Sequence, residues 1–250
     1  MRQFFFLLGF LLLFASCGEN GIFSIFDDSG NIIQKKFDLP AFDYLHLKSV
    51  FDVVLIQDSV YAITIEGDED ILKKVSADVS DSVLTMENNY IPKWLKPKSN
   101  KVKLYLRLKS LKEIDVYETS NVESQDTLYL PVLGVIFHCK LAEANIIINC
   151  NSFYYWDDFP CGGMLTLGGK AKNLAIWNFA LMAVDAQNLI ADTAYIENHS
   201  KGDCRVRAEN ILRYSILGQG NIYYYGTPQQ IIARDTTSSG KLIKVDQKIL

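Results

Sequence analysis

The chain has 250 residues, 49% of them apolar, with 25 basic and 29 acidic side chains. That length suits one large domain or two small ones, with a sizeable core. The near balance of charge gives no electrostatic reason for a nucleic acid or an anionic lipid surface as partner, and no nucleic-acid role is expected.

The first residues read as a targeting segment. Arg2 supplies a positive start, Phe4 to Phe14 is an apolar run broken only by Gly9, and small Ala15 and Ser16 precede Cys17. That is the secretory pattern. The run is shorter than the ~20 residues that span a bilayer. Phe14-Ala15-Ser16-Cys17 also resembles the bacterial lipobox, with Leu13 one place earlier than the usual leucine. The resemblance implies cleavage of residues 1–16, a diacylglycerol on the Cys17 thiol and an acyl chain on its amine. Two or more chains anchor stably. The expected location is the cell envelope, lipid-anchored at the outer membrane, with the membrane itself as one partner.

Residues 17–36 read as a lipidated N-terminus and tether, with the turn formers Asp27-Asp28-Ser29-Gly30-Asn31 inside it. From Phe37 the pattern is strand after strand: Tyr44–Leu47, Val53–Ile56, Ala62–Ile65 and Val83–Met86, separated by turn formers. Asp70 to Val75 suits about one helical turn. A polar stretch from Pro92 to Lys101 breaks the run. Then Val102, Leu104, Leu106 and Leu108 alternate with Lys103, Tyr105 and Arg107, placing the apolar set on one face.

The second half repeats. Ala171-Lys172-Asn173-Leu174, Ala186-Gln187-Asn188-Leu189 and Ala208-Glu209-Asn210-Ile211 resemble one another. Leu189 to Ile211 is a step of 22, Leu167 to Leu189 is 22, and Ile146 to Leu167 is 21. Phe153, Leu174 and Tyr195 follow at steps of 21, and Val184 to Val206 is 22. About three short apolar runs fill each period. A fixed period of this size marks units that bury their apolar faces only by stacking. Short runs rich in β-branched and aromatic residues make the units β coils. The expectation is all-β: a right-handed parallel β-helix of about 21–22 residues per coil, with a β-sandwich as the alternative. Leu167, Leu189 and Ile211 are expected to stack.

Phe51 to Ile56, Ile63 to Asp68, Ile71-Leu72 and Asp81 to Leu84, with Gly218 to Pro228 and Ser238-Ser239-Gly240, resemble the auto-transporter adhesin head GIN domain family, once a domain of unknown function. The resemblance spans residues 37–245. It departs in the middle, where the family's Ser-Gly-Ser-Gly turns are replaced by Gly162-Gly163, Gly168-Gly169 and Gly218-Gln219-Gly220. It implies an exported β-solenoid.

Chemistry is sparse. The histidines are His46, His138 and His199. His138 and Cys139 are neighbours whose side chains point to opposite faces of a strand, so they form no catalytic pair. No phosphate-cradling loop, H-E-x-x-H or G-x-S-x-G occurs. No cofactor and no metal site is expected; Asp157-Asp158 and the acidic run Glu66, Asp68, Glu69, Asp70 read as solvated turns. Cys139, Cys150, Cys161 and Cys204 lack zinc spacing; export permits disulfides, but buried thiols acting as small apolar residues are the favoured reading. Dense aromatics are what remains. Tyr154, Tyr155, Trp156 and Trp177 are the candidate ligand-binding residues, since alternate members of a strand face outward. The alternative for such rings is a stabilising ladder between coils. The chain therefore reads as a non-catalytic cell-envelope lipoprotein with a binding or a structural role, the binding role being adhesion to a glycan or an envelope protein. The competing reading is a polysaccharide-processing enzyme on the same scaffold, with Asp157, Asp158 and Arg205 or Arg207 as its groups.

Overall fold

The computed structural model describes residues 31–90, 102–158 and 160–246. The lipobox with Cys17, the polar stretch of residues 91–101, and Phe159 lie outside the described residues. The described chain is a β-solenoid of about 7 turns, as the periodicity requires.

Two stacks of parallel strands run its length. In the first, β2 (Tyr44–Leu47) lies between β6 (Val83–Asn88) and β8 (Glu113–Val116). The end of β10 (Leu128–Phe137) follows β8. Then come the C-terminal halves of β11 (Leu141–Asp157), β12 (Gly162–Asn178), β13 (Leu181–Asn198) and β14 (Cys204–Ile216), and finally β16 (Gln230–Asp235). In the second stack, β3 (Asp52–Gln57) lies between β7 (Lys103–Leu108) and β9 (Ser120–Ser124). The N-terminal halves of β11 to β14 continue it, ending on β15 (Ile222–Tyr225) and β17 (Leu242–Lys244). The first coil in the chain, β2–β3, is thus enclosed by two coils that come later.

The end beyond β6 and β7 is closed by antiparallel strands. β5 (Val75–Ser80) pairs with β6, β4 (Ala62–Asp68) with β7, and β1 (Ile32–Asp38) with β4. Residues 32–36 are therefore strand rather than tether. The helical turn α1 (Glu69–Leu72) buries Ile71 and Leu72 here, capped by the Asp68 carboxylate, which accepts from Asp70 N–H at 3.0 Å.

Strict alternation builds the core. Val102, Leu104, Leu106 and Leu108 are all buried, as their period of two predicts. The long strands bend at corners: Gly169 takes φ 102°, and a β-carbon there would collide with the Ile148 carbonyl of the coil below.

The coils are not of one length. Ile146 pairs with Leu167 and Phe153 with Leu174, both 21 apart as expected. Beyond that the coils shorten, to 20 for Leu174 and Ala194 and to 18 for Ala194 and Leu212. Bulges take up the difference. Leu189 consequently pairs with Gly169, Ile211 with Thr193, and Val206 with Ala186, so Leu167, Leu189 and Ile211 do not stack. Tyr195 pairs with Ala175, leaving the inward track to Ala194. A bulge residue needs no partner, so core positions advance without a constant step.

One corner carries a buried polar ladder. Asp157, Asn178 and Asn198 are fully buried in successive coils. Asp157 accepts from Phe179 N–H at 2.6 Å, Asn178 Nδ2 donates to Met182 O at 2.9 Å, and Asn198 Nδ2 donates to Gly202 O at 3.1 Å. Each satisfies backbone groups that the turn leaves without strand partners.

Candidate functional site

Outward residues of the first stack line up coil over coil. One row reads Glu113, Gly134, Tyr154, Ala175, Tyr195; the next reads Asp115, Ile136, Trp156, Trp177, Glu197. Between them lies a groove of about 590 Å³, lined chiefly by Ile136, Tyr154, Trp156, Ala175, Trp177 and Phe179. Small Ala175 between Tyr154 and Tyr195 leaves the hollow; the rings around it make the walls. Trp156 is 40% and Phe179 39% exposed, while Tyr154 and Trp177 are half-buried. The lining is almost wholly apolar, a composition typical of pockets that take ligands.

Of the four ring residues expected at a binding surface, three meet here. Tyr155 does not: it is fully buried, its hydroxyl without a hydrogen-bond partner among the described residues, and its ring packs edge-on to Phe137 at 5.6 Å. The alternation that turns Tyr154 and Trp156 outward turns Tyr155 in. Ile136 and Phe179 escaped the sequence search because neither stands in an aromatic run. Ile136 is paired with Trp156, 20 residues on, and Phe179 follows Trp177 by two, so the register itself would have located both.

Beside the groove runs a chain of polar side chains. His138 Nδ1 lies 2.6 Å from Asp158 Oδ2, and its Nε2 lies 3.0 Å from Asp115 Oδ1. His46 Nε2 reaches the other oxygen of Asp115 at 3.5 Å. Partial burial works to lower the His138 pKa, but hydrogen bonds to Asp158 and Asp115 outweigh it and hold it above the ordinary value. Only the charged ring donates from both nitrogens. Tyr117 stacks on His138 at 4.6 Å, with the Lys48 ammonium 3.0 Å from the centre of the Tyr117 ring. At the other rim, Glu197 accepts from Tyr195 Oη at 2.7 Å and lies 2.7 Å from His199 Nε2. Burial alone would raise the Glu197 pKa; these two partners bring it down.

Asp157 and Asp158 face opposite ways, one into the core and one to the rim. Burial raises the Asp157 pKa to about 6. Its enclosure takes it out of reach of any surface substrate, so Asp157, Asp158 and the arginines do not assemble into one cleft. Arg205 instead lies 5.3 Å from the Tyr223 ring and Arg207 donates to Gln187 O. Among the described residues no helix is long and apolar enough to cross a membrane.

No curated protein matches the chain. Among solved structures it is similar to a putative adhesin from Bacteroides fragilis, with 18% identity and a TM-score of 0.78, covering 87% of this chain and 99% of that one. A putative adhesin from Parabacteroides distasonis matches with 16% identity, TM-score 0.62, and coverage of 87% and 98%. A putative lipid binding protein from the same species matches with 18% identity, TM-score 0.60, and the same coverage. At these identities the likeness concerns the fold. The model of the family described as "Putative auto-transporter adhesin, head GIN domain" matches residues 41–228. That match covers most of the chain, with the solenoid from β2 through β15, and the chain belongs to this family.

Proposed function

We propose that this protein is a non-catalytic, adhesin-like binding protein of the bacterial cell envelope, held to the membrane by lipid on Cys17, whose aromatic groove takes an extended ligand. The observation that carries this is the pairing of Trp156 with Trp177 beside Tyr154 in an open groove. Rings that line up along a solenoid suit a repeating chain such as a glycan, whose sugar faces stack on them while the rim groups Asn173, Ser152 and Asp158 offer hydrogen bonds. The membership of an adhesin family supports contact over turnover. Screening the soluble domain against cell-wall and host glycans should find a ligand whose affinity falls at least about tenfold in Trp156→Ala and Trp177→Ala, since central aromatic anchors typically carry ~2 kcal/mol or more.

The apolar lining favours one second reading, a ligand whose buried part is an acyl chain; one fold neighbour is described as lipid binding. Displacement of a fluorescent fatty acid by the native domain, with no glycan bound, would put that reading first. Polysaccharide turnover by the native domain would overturn both.

A further inference from the structure

Cys139 follows β10 by two residues, and Cys161 immediately precedes β12, at the same corner one coil on. Gly162 N–H donates to Lys140 O at 2.9 Å, and Leu141 pairs with Gly162. Cys161 is thereby set opposite Lys140 and diagonal to Cys139. Coils about 4.8 Å apart with a rise of about 3.3 Å per residue put diagonal α-carbons roughly 6 Å apart. That falls inside the ~4.4–6.8 Å that a disulfide bridges.

Both side chains turn inward, 6% and 0% exposed. The Cys139 sulfur lies 3.4 Å from Leu141 O, the Cys161 sulfur 3.8 Å from Gly162 O, and those two residues are strand partners. All four described cysteines stand as thiols. We propose that Cys139 and Cys161 are an oxidation site, joined by a disulfide between adjacent coils when the chain folds in an oxidising compartment. The loop so closed contains the whole of β11, and with it Tyr154 and Trp156 of the groove.

The chemistry is thiol–disulfide exchange with an oxidised dithiol partner. The neighbouring Cys161 holds the Cys139 thiol below its ordinary pKa, which suits it to attack first. The Cys139 thiolate forms a mixed disulfide and expels one partner thiolate. Cys161 then attacks the Cys139 sulfur, the protein S–S bond forms, and the second partner sulfur leaves. The protein loses two electrons and two protons; the partner disulfide gains both as two thiols. The remaining cysteines are poor competitors by position: Cys150 pairs with Leu130 and Ala171, and Cys204 with Val184 and Ile222, so neither faces another thiol across a coil.

The test is refolding of the full chain in a mixture of reduced and oxidised glutathione, followed by alkylation of free thiols and peptide mapping. The expected product links the Cys139 and Cys161 peptides and leaves Cys150 and Cys204 alkylated, with a melting temperature above that of the reduced chain. In Cys139→Ser that gain on oxidation should vanish. Recovery of both Cys139 and Cys161 in alkylated form would overturn the proposal, as would linkage of either to Cys150 or Cys204. The wild-type map decides the matter even if the serine variant fails to fold.

Discussion

Tyr154 lies across Gly134, its strand partner one coil away, and its hydroxyl reaches Glu113 Oε2 at 2.5 Å in the coil beyond. A β-carbon at position 134 would overlap the Tyr154 ring. The absence of a side chain at Gly134 therefore seats the ring and keeps it out of the hollow above Ala175. Burial and the bond to Glu113 both raise the Tyr154 pKa, so the phenol stays protonated and donating at neutral pH.

Gly134→Ala should consequently displace Tyr154 and reshape the groove while the solenoid persists. Intrinsic Trp fluorescence should shift through Trp156 and Trp177, and circular dichroism should keep its β signature. An unchanged emission spectrum with a folded protein would show that Tyr154 is not seated by Gly134.

Tyr155 carries different expectations for two substitutions. Tyr155→Ala opens a cavity among Phe137 and its neighbours and should cost about 3–5 kcal/mol. Tyr155→Phe removes a buried hydroxyl that has no hydrogen bond of normal length among the described residues but interacts with the Asp157 carboxylate, and it should change stability by no more than about 1 kcal/mol. Chemical denaturation measures both. A clear loss of stability in Tyr155→Phe would mean that the hydroxyl is bonded.

Asp157 sets a pH dependence whose sign is fixed by its burial. Burial raises its folded pKa to about 6 from the ordinary carboxylate value of 3.8. The folded state thus binds the proton more tightly. The associated stability is fully present below about 3.8 and is lost as pH rises through about 6. Asp157→Asn places at this corner the residue that Asn178 and Asn198 already supply in the next two coils, and its amide oxygen can still accept from Phe179 N–H. Melting temperatures at pH 4 and 7.5 should show the variant gaining on the wild type as pH rises. Equal differences at the two values would mean that Asp157 titrates normally.

Cys17→Ser should abolish metabolic labelling with a fatty acid and leave the precursor uncut or the product unanchored. Retained label in that variant would sink the lipid anchor. The measurement is independent of the groove, because it reads lipid attached to Cys17 and not ligand binding.

Much of the architecture is legible in residue order alone. Alternation from Val102 to Leu108 states which side chains are buried, since successive strand residues must face opposite ways. The repeat in the second half states that strands stack in parallel, because equivalent residues about 20 apart can pair only through successive coils. Density of rings states that some must face solvent. Which rings do so was decided by phase within one strand: Tyr154 and Trp156 out, Tyr155 in. The groove, too, was decided only by stacking. Ile136, Trp156 and Trp177 become neighbours through the inter-coil registers of β10, β11 and β12, and those registers are fixed by the length of the turns between strands rather than by local composition. The same holds for Asp115 and His138, 23 residues apart in the chain yet 3.0 Å apart in the fold: a short-range pattern encodes the direction of a side chain, while its partner across coils is set by the length of the turns between.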